Sequence, residues 1–86
     1  MSAPGPLTHV QTRILRFFHD NPQAVESQRG IASWLGDDSG GVEEAIRGLV
    51  SRGWLATHET SAVTAFSLTC EERSLSQIRE ALKGLA

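Results

Sequence analysis

Apolar side chains recur near the start of the chain at the spacing of a helix that buries one face. They fall within about 100° of one another on a helical wheel and are Leu7, Val10, Ile14, Phe17 and Phe18, with Leu15 at the edge. Thr8 and Gln11 have the spacing of a capping box, in which each side chain satisfies a free backbone amide of the other. Pro22 cannot continue the helix. The pattern predicts a first helix from Thr8 to about Asp20.

Two shorter apolar faces predict a helix, a tight turn and a second helix between residues 27 and 53. Ser27 is a suitable N-cap, and Gly36 follows the end of a helix with the face Ile31, Ala32 and Leu35. Asp38 is expected to cap the next helix (39–52), whose apolar positions are Val42, Ala45, Ile46, Leu49 and Val50. Gly53 ends it. Ala24 and Val25 are expected to form a very short strand before these helices.

The last third of the chain predicts a β-hairpin and a final helix. Residues 54–58 and 63–69 are strand-like, residues 59–62 form the turn, and the inward side chains are Leu55, Phe66 and Leu68. Thr69 and Glu72 have the spacing of a second capping box. Beyond them a narrow apolar seam follows the spacing 3, 4, 3 and consists of Leu75, Ile78, Leu82 and Leu85.

Length and composition indicate one globular domain. The chain has 86 residues, of which 40% are hydrophobic, so we expect one domain over 7–86 after a disordered tail over 1–6. No apolar run approaches the roughly 20 residues of a membrane span, and the start has no secretory signal pattern. We therefore expect no membrane association and a cytoplasmic location.

The order of elements resembles the winged helix-turn-helix family. The residues that carry the resemblance are the Ile31-Ala32 pair with Leu35-Gly36, then Val42, then Ile46, Leu49-Val50 and Gly53-Trp54-Leu55. The run Phe66-Ser67-Leu68-Thr69 is similar to the end of the wing in transcriptional regulators of the multiple-antibiotic-resistance type. Those regulators usually carry a glycine where this chain has Arg73. The resemblance covers residues 8–85 and implies a mainly helical fold with a small β-hairpin wing.

The resemblance further implies a transcriptional regulator that binds double-stranded DNA. The third helix (39–52) would enter the major groove and the wing (54–69) would contact the backbone. Arg47 would read a base edge or grip a phosphate, Gln28 and Arg29 would contact the backbone, and His58 and Thr60 would serve the wing. The other expected DNA-facing residues are Ser39, Gly40, Glu43, Glu44 and Ser51.

The charge distribution leaves an alternative open, a winged-helix protein-interaction module that does not bind DNA. The formal net charge is −2, whereas nucleic-acid binders commonly carry a positive excess. Residues 27–53 hold three arginines against four acids, and residues 54–69 hold no Lys or Arg. Gly48 is expected on an exposed strip of the third helix. It is either a tolerated surface glycine or a place where a partner approaches closely.

The seam of the last helix has two interpretations, core packing on the first helix or a homodimer interface through Leu75, Ile78, Leu82 and Leu85.

No enzyme, metal site or cofactor is predicted, because no nucleophile or phosphate-loop motif is present and His9, His19 and His58 are expected on the surface. Cys70, expected at the first position of the last helix, is either a redox sensor needing a second subunit's cysteine or a partly buried, inert thiol. Trp34 and Trp54 are expected in boundary packing, and either becomes an interface candidate if exposed.

Overall fold

The computed structural model describes residues 7–36 and 41–83. Their elements are α1 (His9–Asp20), β1 (Val25–Ser27), α2 (Gln28–Leu35), α3 (Gly41–Ser51), β2 (Leu55–Glu59), β3 (Thr64–Leu68) and α4 (Glu72–Lys83). The predicted order of helices, short strand and hairpin is confirmed. The predicted tail over 1–6, the Asp38 cap, Ser39, Gly40 and Leu85 lie outside the described residues.

The first helix begins at the predicted capping box. Oγ1 of Thr8 accepts the backbone N–H of Gln11 at 3.1 Å, and Oε1 of Gln11 accepts the backbone N–H of Thr8 at 3.0 Å. At the other end the N–H of Asn21 donates to the carbonyl of Phe17. Leu15, expected at the edge of the apolar face, is fully buried.

Helices α2 and α3 form a helix-turn-helix pair whose limits are set by a cap and two glycines. Oγ of Ser27 accepts the N–H of Gly30 at 3.0 Å, which confirms the predicted N-cap. Gly36, directly after α2, has φ +72°, and Gly53, after α3, has φ +80°. Only glycine adopts this left-handed conformation without strain, so both helices stop where the sequence predicts.

The three strands form one antiparallel sheet in the order β1-β3-β2. Leu55 pairs with Leu68 and Thr57 pairs with Phe66. Since side chains alternate between the two faces of a strand, these four residues share the face that meets the helices. Leu55 and Leu68 are buried and Phe66 is partly buried against the core, as the sequence predicts.

Apolar side chains from all four helices and the hairpin build a single core. Its fully buried members include Ile14, Leu15, Phe18, Ile31, Val42, Leu49 and Ile78. Ile78 and Leu82 of the predicted seam belong to this core, and Leu75 packs against it. The burial of Ile78 and Leu82 favours the interpretation of the seam as core packing. The homodimer interface through Leu75, Ile78, Leu82 and Leu85 stays a prediction.

The start of α4 differs from the predicted second capping box. The helix begins at Glu72 rather than Cys70, and Oγ1 of Thr69 accepts the N–H of Glu71, two residues on, at 3.1 Å. The side chain of Glu71 accepts the hydroxyl of Ser74 at 2.8 Å. A Ser/Thr turn thus replaces the capping box. Cys70 lies before the helix and is exposed, so its predicted helical position and its predicted partial burial are both wrong.

Candidate nucleic-acid interface

The face of α3 that points away from the core carries the polar side chains predicted to meet DNA. Glu43, Glu44, Arg47 and Ser51 are all exposed. Gly48 differs from its predicted place, because it is partly buried and lies against α1, where the side chain of Gln11 approaches it. The close approach that this glycine permits is therefore to α1 of the same domain, and not to a partner.

A cleft of about 310 Å³ separates α3 from the sheet. Its walls include the apolar side chains of Ile46, Val50 and Phe66, and its polar lining residues are Gln28, Glu43, Arg47 and Thr57. The structure thus brings together three of the predicted DNA-contacting residues, Gln28, Glu43 and Arg47. They come from two helices, beside the wing.

Arg47 is the most accessible cation at this cleft. Its side chain is 78% exposed, and Nη2 lies 3.7 Å from Oε2 of Glu43, one turn earlier on α3. An exposed ion pair of this spacing contributes only about 0.3–0.5 kcal/mol. The guanidinium can therefore leave Glu43 for a phosphate or a guanine edge at small cost, although Glu43 competes with either ligand.

The start of α2 places Gln28 and Arg29 differently. Both are exposed, but Gln28 lines the cleft, and Arg29 is not among its lining residues. The two residues are 100° apart on the helix. Arg29 therefore lies beside the cleft and not in its lining.

The two wing residues predicted to touch DNA already have partners within the hairpin. His58 lies on the sheet face opposite Thr57, and its Nε2 is 2.7 Å from Oγ of Ser67. Oγ1 of Thr60 donates to the carbonyl of Val63 and accepts the N–H groups of Ala62 and Val63. Thr60 thus closes the turn, and His58 points away from the face that lines the cleft.

Sequence reasoning missed Thr57, a polar residue of the wing that does line the cleft. A signal was present, because Thr57 is two residues after the inward Leu55, and alternation places both on one face. Residue type alone does not reveal it, because the inward positions of a strand are expected to be apolar. The same alternation places the side chain of His58 on the opposite face of the strand, away from the cleft.

Within 7–36 and 41–83, no group of three or more His, Cys, Asp or Glu side chains could hold a metal ion. His9, His19 and His58 are exposed, as predicted. No helix in those ranges has the length and apolar character needed to cross a membrane.

Solved structures share this architecture. A mutant of S. aureus MepR bound to an oligodeoxyribonucleotide superposes with a TM-score of 0.71 at 20% identity, over 91% of this chain and 56% of that chain. The domain is a winged helix-turn-helix. The resemblance indicated by the sequence is thereby confirmed for the fold, and α2 and α3 are its helix-turn-helix.

Two further solved structures are similar to this winged helix-turn-helix domain at different levels of sequence identity. The adhesin competence repressor AdcR from Streptococcus pyogenes is 27% identical, with a TM-score of 0.68, over 91% of this chain and 56% of that chain. A possible transcriptional regulator from Methanosarcina mazei Go1 is 13% identical, with a TM-score of 0.70, over 92% of this chain and 70% of that chain. The chain therefore spans little more than half the length of MepR and AdcR. No family model and no curated protein matches it.

Proposed function

We propose that this winged helix-turn-helix domain is a transcriptional regulator that binds double-stranded DNA. The observation that carries the proposal is the position of Arg47, exposed on the outer face of α3 at the cleft beside the wing. Its forked guanidinium suits both guanine and phosphate. The fold of MepR, whose solved structure contains an oligodeoxyribonucleotide, supports the same assignment.

In the proposed complex α3 enters the major groove with Arg47, Glu44 and Ser51 toward the bases. Gln28 and Thr57, on opposite sides of the cleft, donate to backbone phosphates. Ser39 and Gly40, which precede α3 in the sequence, stay predicted DNA contacts. As a protein acting on transcription, the chain would work in the cytoplasm, and no enzymatic activity is proposed for it.

Few cations line this surface, so the electrostatic attraction of the domain to DNA phosphates should be weak. Affinity for DNA rises with the number of phosphates that Lys and Arg neutralise, and Arg29 and Arg47 are opposed here by Glu43 and Glu44. One domain should therefore bind weakly at physiological salt. A homodimer would compensate, since two linked half-sites add their binding energies through a high effective concentration.

Fluorescence anisotropy on labelled duplex DNA tests the proposal. The DNA is the region upstream of the protein's own gene, with a scrambled duplex of equal length as control, at low and physiological salt. Tighter binding to the upstream duplex, lost steeply as salt rises, is expected. Arg47→Ala should cost about 1–3 kcal/mol, while Arg16→Ala on α1 should bind like the unchanged protein. Equal affinities for both duplexes, or no binding at low salt, would reject it.

The second candidate function is a protein-interaction module that uses the outer face of α3. The observation that favours it is the excess of acids over cations there, together with a wing that has no Lys or Arg. The same titration separates the two functions, because only the DNA-binding protein responds to duplex at low salt.

A further inference from the structure

The largest exposed apolar side chain among the described residues lies away from the cleft. Trp34, near the end of α2, is 58% exposed. Its ring packs against that of Phe17 on α1, with centroids 4.3 Å apart and planes tilted by 54°. Packing on one side holds the indole in place, and the other side faces solvent. Exposed aromatic side chains held in this way are frequent anchors of protein interfaces.

Cations extend from this tryptophan along the outer side of α1. Arg13, one turn before Phe17, donates from Nη2 to the carbonyl of Leu35, next to Trp34, at 3.1 Å. Arg16 follows and lines a second cleft of about 280 Å³ between the ends of α1 and α4. Arg79 and Lys83 line the same cleft. We call Trp34, Arg13, Arg16, Arg79 and Lys83 the α1–α4 surface.

The α1–α4 surface concentrates positive charge in a chain that is otherwise acidic. It contains half of the eight Lys and Arg residues. The acids beside it are Asp20, which lines the cleft, Glu72, whose Oε1 is 3.9 Å from Nη2 of Arg79, and the exposed Glu80, three residues before Lys83 on α4. With these three acids included its formal charge is +1, against −3 for the rest of the sequence.

This surface points away from the proposed DNA-binding face. Gln11 faces α3, since its Nε2 donates to the carbonyl of Ala45. Arg16 lies five residues later, which places it about 140° around α1 from Gln11. A ligand on the α1–α4 surface would therefore leave α3 accessible.

We propose that the α1–α4 surface docks an acidic peptide segment of another protein that also carries a large apolar side chain. The apolar side chain packs on the free side of the Trp34 indole, and the carboxylates pair with the guanidinium groups of Arg13, Arg16 and Arg79 and with the ammonium group of Lys83. Charge complementarity selects this occupant, because an excess of cations beside an aromatic anchor repels basic chains. Arginine binds carboxylates in a bidentate manner, which adds geometric selectivity.

A labelled peptide tests the proposal directly. The probe is a fluorescein-labelled peptide of about twelve residues in which aspartate alternates with leucine and phenylalanine, the length needed to cover several turns of helix surface. One control peptide replaces the apolar residues with serine, and the other replaces aspartate with lysine. Anisotropy titrations should show saturable binding of the first peptide only. Equal binding of the serine peptide would overturn the role of Trp34, and absence of binding would overturn the whole proposal.

Variants separate this surface from the rest of the protein. The double variant Arg16→Glu/Arg79→Glu and the single variant Trp34→Ala should each weaken the peptide complex at least about tenfold, or about 1.4 kcal/mol. Arg73→Glu is a control for a single charge reversal outside the surface, since Arg73 is exposed on α4 about 120° around the helix from Arg79; it should change affinity less than twofold. Unaltered circular dichroism and thermal melting verify folding, and the charge-reversal pair provides the test if Trp34→Ala melts early.

Two further results would overturn the assignment of the occupant. If a second copy of the chain covered this surface, sedimentation equilibrium would show a dimer that dissociates in the Arg16→Glu/Arg79→Glu variant. If nucleic acid occupied the α1–α4 surface, duplex DNA would displace the peptide, and the same variant would bind DNA less tightly. With an acidic partner, the variant leaves the oligomeric state unchanged and changes DNA affinity little at physiological salt, where the added negative charges are screened. The peptide result is therefore independent of whether α3 binds DNA.

Discussion

The carboxamide of Gln11 occupies the space in which any residue other than glycine at position 48 would place its Cβ. An ideal Cβ on Gly48 would lie 2.5 Å from Nε2 of Gln11, closer than two such atoms can approach. That nitrogen donates to the carbonyl of Ala45 at 3.4 Å, while Oε1 accepts the N–H of Thr8. One buried amide therefore links the start of α1 to the middle of α3.

Replacing Gly48 with alanine should destabilise the domain despite the better helix propensity of alanine. Propensity alone would stabilise α3 by about 0.5–1 kcal/mol. The added methyl group forces the amide of Gln11 to move, which breaks its bonds to Ala45 and Thr8 at about 0.5–1.5 kcal/mol each. We expect a net loss of about 1 kcal/mol in the free energy of unfolding, measured by urea denaturation.

A double-mutant cycle with Gln11→Ala isolates this contact. Once the amide is absent, Gly48→Ala meets open space and should stabilise the domain by about 0.5–1 kcal/mol. The change in sign between the two backgrounds is the diagnostic result. A stabilising Gly48→Ala in the otherwise unchanged protein would mean that Gln11 moves aside freely.

Gly48 also shows how far the sequence could predict this site. Caps, glycine-ended helices and apolar faces depend on local rules, so residues such as Thr8, Ser27 and Gly53 could be placed from the chain alone. The approach of α1 to α3 is a tertiary relationship, and a helical wheel assigns Gly48 to the exposed strip by default. Nothing in the spacing of Gln11, itself predicted only as half of a cap, says that its amide also reaches α3.

The wing illustrates a second limit. Strand alternation suffices to put Thr57 on the cleft face and His58 on the other, whereas residue type alone favours His58 as the contact to phosphate. The hydroxyl of Thr60 predicts a contact to DNA from the sequence, whereas the turn geometry that uses this hydroxyl emerges only when the hairpin closes. The polar residues that meet at the cleft come from three elements, and that convergence required the fold.

Neutralising Glu43 should strengthen DNA binding. Glu43→Gln removes a charge that repels phosphates and frees Arg47 from the 3.7 Å ion pair. We expect affinity for the upstream duplex to rise about threefold to tenfold at low salt, and less at high salt, because exposed charges are screened. Glu80→Gln, an equal change of net charge on α4, serves as the control. A similar gain in both variants would point to a general charge effect and not to release of Arg47.

Thr60 should matter for the stability of the wing more than for DNA. Thr60→Val keeps the shape of the side chain but removes the hydroxyl that bonds Val63 and Ala62. Because the turn is exposed and water replaces part of these bonds, we expect a loss of about 0.5–1 kcal/mol. Thr60→Ser retains the hydroxyl and should be close to the unchanged protein. Reduced DNA affinity in the valine variant, with unfolding unaffected, would instead return Thr60 to the DNA-contacting set.

The role of the α4 seam can be decided with a small change at its most buried position. Ile78 is completely buried in the core, so Ile78→Val should lower the free energy of unfolding by about 0.5–1.5 kcal/mol. Leu75→Ala removes more carbon but from a partly exposed position, so its cost per methylene should be smaller. If the seam were a subunit interface, Ile78→Val would weaken self-association in sedimentation equilibrium while the unfolding of the dilute monomer stayed unchanged. If the seam is core packing, Ile78→Val should leave self-association unchanged. It should then lower the free energy of unfolding of the monomer at every protein concentration, since the methyl group packs within the monomer.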